Sequence, residues 1–243
     1  MPEHTAFNKE QASHSYPDGI ERNFWHQARG RIVTRICEVY RAEPFLEIGA
    51  GRGYMLHAFQ QKGWQAYGVE LSPEMTPFLP HLPIQYGQDA FTLPEDLRYQ
   101  IRSIGLFDVL EHLPEREAFL FACREAFPNL QYLYLTVPAC MSLWTNYDTY
   151  YGHYLRYDRA ILRREVEASG YKVVFMRYFF HMLYIPIWLV KHLSPQGRHI
   201  EYTPPTGLKA LLHRGIAQYF VWESWVLPGS VPGSSLLCIA RPA

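Results

Sequence analysis

Phe45-Leu46-Glu47-Ile48-Gly49-Ala50-Gly51-Arg52-Gly53-Tyr54 is the stretch on which the reading of this chain turns. Its first four residues form a short, mostly apolar run that stops at glycine, the pattern of a buried strand feeding a helix through a tight turn. Gly49, Gly51 and Gly53 lack the Cβ that would block both sharp backbone dihedrals and the close approach of a ligand. A dinucleotide-binding turn wants its third glycine one place later, where this chain has Tyr54. Glu47, just before the turn, would repel a pyrophosphate and favours a cationic ligand.

Working outward, the hydrophobic period alternates between strand and helix. Phe24, Trp25, Ala28, Ile32, Val33, Ile36 and Val39 recur at helical spacing, which predicts a helix from Phe24 to Tyr40 ahead of Pro44. Downstream, a helix over roughly 54–62 ends at Gly63, a strand follows at 65–70, and Ser72-Pro73-Glu74 carries the signature of a capped helix start. Further strands are predicted at 84–86, 101–106 and 132–137, with a helix at 115–127; then come a helix at 158–169 and strands at 172–176 and 235–240. Glu70, at the end of the second strand, stands where an acidic side chain accepts ribose hydroxyls in doubly wound folds. Repeated β-α units require a parallel sheet with right-handed crossovers. Seven strands result, and the alternation lapses only between Tyr178 and Gly233.

Composition narrows the function. A chain of 243 residues, 48% of them hydrophobic, buries a full core and suits one catalytic unit. Lysine plus arginine (23) equal aspartate plus glutamate (23), and basic stripes interleaved with aromatics are missing, so no nucleic-acid partner is expected. Cys37, Cys123, Cys140 and Cys238 are far apart and form no C-x-x-C pair, which argues against a disulfide framework and a zinc knuckle and fits a reducing cytoplasm. The polar opening stretch lacks the order of a signal peptide, so export is not expected. The expected organisation is a flexible segment at 1–22 and a single domain at 23–243, with 178–233 as an apolar, helical insert or lid.

Several of these segments together resemble one family. Phe45 to Tyr54 resembles the first motif of the class I S-adenosylmethionine-dependent methyltransferases, and Val69 to Met75 resembles their ribose-binding strand end. Gly87-Gln88-Asp89-Ala90 resembles the segment whose acid meets the adenine amino group. Phe107-Asp108-Val109-Leu110-Glu111-His112-Leu113-Pro114 resembles the segment after the fourth strand in the subgroup related to ubiquinone-biosynthesis O-methyltransferases. Phe24 to Arg29 and Gly152 to Tyr157 resemble segments of a bacterial subgroup assigned to polysaccharide or secondary metabolism.

The resemblance implies a Rossmann-like, doubly wound α/β fold: a seven-stranded, mostly parallel sheet with an antiparallel last strand and a helical insert before it. It also implies S-adenosyl-L-methionine as cofactor, with S-adenosyl-L-homocysteine as product. The cofactor would be held by Trp25, Glu47, Gly49, Ala50, Gly51, Gly53, Glu70, Leu71, Asp89, Ala90, Phe107, Asp108 and His112. One departure is the fourth strand, Tyr99 to Ile104, which lacks the aspartate that usually opens it; that residue mainly supports local structure.

Methyl transfer from a sulfonium is an in-line displacement that depends chiefly on positioning. A hydroxyl acceptor is helped by a general base, and histidine has a suitable pKa. His112, in the loop after the fourth strand, and His153, in the aromatic segment after the fifth, are the catalytic candidates; each has an alternative reading as a packing or loop-forming residue. Tyr154, Arg156 and Tyr157 are candidates for acceptor binding, or else a stacked surface group. Glu111-His112 does not have the H-E-x-x-H spacing, so no metal is expected.

Tyr178 to Val190 is the most apolar stretch, yet it contains His181 and Pro186 and is shorter than the ~20 residues needed to span a bilayer. It reads as a lid or wall over the pocket of a small-molecule or lipid-linked acceptor, ahead of an interfacial helix or a dimer surface. O-methylation is favoured over N- or C-methylation. The alternatives are an inert cofactor-binding protein acting through that surface and an NAD-linked oxidoreductase. Oligomeric state has no signature in the sequence.

Overall fold

The computed structural model describes residues 16–193 and 203–243. Its strands are β1 (Phe45–Ile48), β2 (Ala66–Glu70), β3 (Ile84–Tyr86), β4 (Ser103–Phe107), β5 (Tyr132–Pro138), β6 (Tyr171–Phe179) and β7 (Ser235–Pro242). They form one sheet in the order β3-β2-β1-β4-β5-β7-β6. β1 to β5 pair in parallel, and β7 runs antiparallel to both β5 and β6. This is the doubly wound, mostly parallel architecture expected from the alternation.

The helices are α1 (Phe24–Glu38), α2 (Tyr54–Gln60), α3 (Glu95–Gln100), α4 (Arg116–Ala126), α5 (Asn146–Tyr150), α6 (Arg159–Ala168), α7 (Tyr184–Leu193) and α8 (Gly207–Val226). They cover both faces of the sheet, so central strands such as Ser103–Phe107 are buried throughout and read as continuous apolar runs. Strand alternation sends Leu46, Ile104 and Leu133 to one core with Leu120 of α4 and Leu162 of α6. Phe45, Phe107 and Tyr134 go to the other, with Ile32 of α1, Phe59 of α2 and Phe220 of α8. Glu47 shares its face with Phe45, and this directs a carboxylate into an otherwise apolar layer under α1 and α2.

The structure corrects the sequence reading at three places. Ser72-Pro73-Glu74 opens no helix: prolines recur at 73, 77, 80 and 83, removing amide donors and crowding every turn a helix would need. The segment instead lies back over the glycine turn, with Phe78 N–H donating to the Arg52 carbonyl at 3.0 Å. The strand expected at 172–176 extends from Tyr171 to Phe179, because Tyr178 and Phe179 pair with Leu236 and Ser235 of β7. The apolar helix therefore begins at Tyr184, after a left-handed residue at Phe180 and a 3-10 turn over His181–Leu183. Pro186 falls in its first turn, where the missing N–H costs little and no kink is required. Helix α3 was unforeseen; it buries no residue, so it has no apolar stripe to read.

Of the expected segment at 1–22, residues 1–15 lie outside the described residues; from Tyr16 the chain enters a 3-10 turn, Ile20–Arg22. Among the described residues, no helix is long and apolar enough to cross a membrane. Helix α7 buries no residue; Ile185, Trp188, Leu189, Val190 and Leu193 are exposed. The turn leading into it is tied to α8 by buried Glu223, whose carboxylate accepts from His181 N–H at 3.1 Å and Met182 N–H at 2.7 Å.

Replacing Glu223 with alanine leaves two amides without their charged acceptor and is expected to cost about 3 kcal/mol. Urea denaturation checks it: a loss under about 0.5 kcal/mol would mean that this carboxylate does not hold the insert.

Candidate functional site

In an open parallel sheet, the crevice lies at the carboxyl ends of the strands where the chain reverses its winding direction. Here that point is between β1, which is followed outward by β2 and β3, and β4, which leads to β5. A cavity of about 320 Å³ opens there, lined by Gly49 of the turn, Glu70 at the end of β2 and Leu71 beyond it, Asp89 and Ala90 after β3, and Phe107 at the end of β4 with Asp108 and His112 beyond it. The structure thus brings together eight of the residues expected to hold the cofactor. Met75, Phe91, Val109, Leu113 and Phe119 complete an apolar slot.

The turn itself is a backbone device. Gly49, Gly51 and Gly53 have φ of 75°, 53° and 87°, in the left-handed region open to glycine. Gly49 and Ala50 donate N–H groups to the Val69 carbonyl at 3.0 Å each, pinning the turn to β2. A Cβ at Gly53 would meet Leu82 and Ile84 at 2.8 and 2.6 Å, so Gly53 serves packing against β3. Glu47, Ala50, Gly51 and Gly53 do not line the cavity; they build the turn below it. Glu70 stiffens it from the side, accepting from Gly51 N–H and Ser72 N–H at 2.9 Å each.

Trp25 also lies off the cavity wall. It packs against Phe180 with ring centroids 6.0 Å apart and lies beneath the Arg29 guanidinium at 4.9 Å. Arg29 itself was not singled out by the sequence reading. It is buried on α1, pairs with Asp108 Oδ2 at 2.7 Å and donates to Thr136 Oγ1 at 3.0 Å, while its Nε has no partner. The signal was its place one helical turn after Trp25, in the quoted 24–29 segment.

Tyr16 was also missed. It sits over the glycine turn, lines the cavity, and is fixed by its carbonyl accepting from Arg52 at 2.9 Å. A Cβ at Gly51 would meet its ring at 3.0 Å. A single tyrosine in a polar segment carries no periodic signal.

Glu47 is 3% exposed and its Oε2 has no partner. Burial pushes its carboxyl up to about 8, against the opposing pull of Arg29 and of a hydrogen bond from the Leu56 amide. An added cation nearby would relieve that burial penalty.

On the other side of the cavity, His112 and His153 meet edge to face with ring centroids 4.7 Å apart. Burial, reinforced by His153, pushes His112 down to about 3, so it is neutral at physiological pH. His153 bonds through Nδ1 to Asp148 Oδ1 at 2.9 Å. Burial works against ionisation of Asp148, but hydrogen bonds from His153, Arg156 and the Thr145 amide hold it down at about 2. The run Thr145-Asn146-Tyr147-Asp148, a capping box, was the unread signal for this acid.

The acceptor-binding candidates separate. Arg156 is 4% exposed and engaged with Asp148 at 2.8 Å and the Ala139 carbonyl, so it is neither an acceptor-facing cation nor a surface residue. Tyr157 is buried in the core with its hydroxyl donating to Glu165, and it does not line the cavity. Both are buried in a segment that Tyr157 joins to Ala139, beside β5, through a parallel bridge. Tyr154 is exposed, and its amide donates to the Glu111 carbonyl at 2.7 Å, linking the two loops.

A family profile described as a methyltransferase domain matches residues 9–215. No curated protein matches significantly. Among solved structures, a SAM-dependent methyltransferase from Archaeoglobus fulgidus superposes with a TM-score of 0.51 at 19% identity, covering 87% of this chain and 94% of that one. The methyltransferase domain of a bacterial Hen1 protein gives 0.53 at 14% identity, with 89% and 98% covered. Magnesium protoporphyrin IX methyltransferase from Synechocystis PCC 6803, with bound SAH, gives 0.50 at 13% identity, with 90% and 84% covered. At these identities the likeness is one of fold.

The buried Glu47 carboxyl has a stability consequence. Its folded value of about 8 stands above the ordinary 4.5, so between those limits the folded chain holds a proton that the unfolded chain releases. Wild type should therefore lose stability relative to Glu47→Gln as pH rises from about 4.5 to about 8, and level off above. Urea denaturation of both proteins at pH values within and beyond that window reads the difference; parallel profiles would overturn it.

Proposed function

The chain belongs to the methyltransferase domain family, and from that premise we propose that it uses S-adenosylmethionine to methylate a hydroxyl of a small-molecule or lipid-linked hydrophobic acceptor. The observation that carries the reading is the cavity at the β1/β4 switch point, with Glu70, Asp89 and Asp108 among the acids along its wall and an imidazole pair at its edge.

In this reading Glu70 accepts the ribose hydroxyls, Asp89 meets the adenine amino group between Phe91 and Phe119, and the glycine turn lets the donor's amino-acid end approach the backbone. The donor's ammonium lies toward Glu47 and its carboxylate toward the unpartnered Nε of Arg29. Opposite charges at that end match two buried groups otherwise short of partners. The sulfonium methyl then points to the His112 and His153 side, where the acceptor oxygen is held in line with the carbon–sulfur bond.

Oxygen is favoured as the acceptor atom because the Phe107 to Pro114 segment, which carries His112, resembles that of ubiquinone-biosynthesis O-methyltransferases. A hydrophobic acceptor is favoured because exposed Trp188 and Leu189 lie on α7. That helix is anchored beside the loop that carries His153: Ser142 bonds the Tyr184 hydroxyl at 2.8 Å, and Lys191 donates to the Ser142 carbonyl at 2.9 Å. The described parts of the insert, 178–193 and 203–233, then act as a wall or lid, and Tyr16 lies over the donor. Equal numbers of acidic and basic residues give no reason to invoke nucleic acid.

Calorimetry tests the donor half. S-adenosylhomocysteine should bind and NAD should not; at pH 7 binding should release protons and should tighten as pH rises toward about 8, because an ammonium beside Glu47 pulls its carboxyl down. Binding of NAD instead would sink the reading. For the transfer half, His153→Ala should lower methyl incorporation into an extract fraction by about 10²-fold or more while S-adenosylhomocysteine affinity changes less than about twofold. Unchanged incorporation would remove the imidazole pair from the reaction.

A further inference from the structure

We infer that Glu111, His112 and His153 form a binding site for one divalent first-row transition ion, of the zinc or manganese kind, that holds the acceptor oxygen at the edge of the donor cavity. The inference rests on the methyl-transfer reading for its purpose but on separate residues for its existence. One ligand atom from each of the three side chains lies within 4.8 Å of the others. Bonds of ~2.0–2.2 Å around a single ion place ligand atoms roughly 3–4 Å apart, so small side-chain rotations close the set.

Glu111 is the observation that separates a site from a coincidence. It is 1% exposed, and its Oε2 has no hydrogen-bond partner. A buried polar atom without a partner is costly, and the two arginines nearest this region are already committed, Arg29 to Asp108 at 2.7 Å and Arg156 to Asp148 at 2.8 Å. A cation placed between Glu111 and the two imidazoles gives that oxygen its partner.

The histidines are prepared for it. His153 is oriented by Asp148 through Nδ1, the carboxylate–histidine arrangement that directs Nε2 toward a metal. Asp148 is itself locked by Arg156 and the Thr145 amide at 2.8 Å each. His112 hydrogen-bonds the Tyr151 backbone, and a neutral imidazole that donates from one nitrogen carries a lone pair on the other. The Tyr154 amide, on the Glu111 carbonyl at 2.7 Å, holds the two loops in register. The sequence could not disclose this set, because its third member comes from a different loop.

Two imidazoles and one carboxylate with further positions open make the donor set of catalytic zinc and related divalent ions, whereas magnesium prefers oxygen alone. The ion's part in the reaction is that of a Lewis acid. The acceptor hydroxyl binds it, the O–H bond breaks with its proton passing to water, and an oxygen lone pair forms the bond to the methyl carbon. The carbon–sulfur bond breaks with its electron pair going to sulfur, which yields the methyl ether and S-adenosylhomocysteine and leaves the ion unchanged.

The test uses the whole protein, stripped with a chelator. Titration with Zn(II) by calorimetry, and with Co(II) followed by visible absorption, should show one ion per chain. Both Glu111→Gln and His153→Ala should weaken it by about tenfold or more. Mg(II) in excess should fail to displace Co(II). S-adenosylhomocysteine affinity, measured on the same samples, reports folding and the donor site independently. Absence of stoichiometric binding, equal binding by both variants, or displacement by Mg(II) would overturn the inference while intact S-adenosylhomocysteine binding left the donor reading standing. Loss of S-adenosylhomocysteine binding with the ion still bound would do the reverse.

Discussion

Arg29 is a guanidinium carried by the leading helix into the layer beneath the carboxyl edge of the sheet, and the arrangement of the site depends on it. Its ion pair with Asp108 at 2.7 Å and its hydrogen bond to Thr136 at 3.0 Å join α1 to the ends of β4 and β5. Asp108 adopts φ of 59° there, a left-handed conformation that aspartate tolerates better than most residues. Stacking on Trp25 at 4.9 Å covers the guanidinium face that is turned from the acids. Without that cation, Asp108 would lose its ion-pair partner and the ends of β4 and β5 their link to α1.

The same pairing leaves a residue of unmet valence. Glu47 keeps an unpartnered oxygen and Arg29 an unpartnered nitrogen. A fully satisfied network would make a stiffer core, yet it would offer nothing to a zwitterionic ligand end. A binding site for an amino-acid moiety needs one donor and one acceptor left open, held by neighbours that are already committed. The buried layer beneath the turn has that composition.

Most of the fold was legible because it is written in periods. The strand at Phe45–Ile48, the glycines after it, the fully buried β4 and the largely buried β5 follow directly from apolar runs and turn chemistry. What escaped has no period. Helix α3 buries nothing, the prolines at 73, 77, 80 and 83 overrode a good capping signal, and β6 outgrew its apolar core by pairing with a strand far along the chain. The cavity wall after each strand was readable from local segments. The inward turn of Arg156 and Tyr157, the placement of Tyr16 and the Glu111–His112–His153 grouping depend on loops meeting in space, and no local pattern records that.

The acceptor side is where packing and chemistry make opposite demands. A hydrophobic acceptor needs an apolar surface, while activating its oxygen needs polar groups in a dry setting where they act most strongly. The chain separates the two by layering. Asp148, Arg156 and Thr145 form a closed polar support behind His153, so the imidazole is held without exposing charge toward the pocket. Helix α7, attached through Ser142 to the turn that precedes α5, carries the apolar surface and buries none of it in the protein's own core. A helix that keeps Trp188 and Leu189 at the surface gives up stability that burial would have supplied. In the proposed reading the acceptor covers that face, close to the imidazole pair, and so offsets the loss.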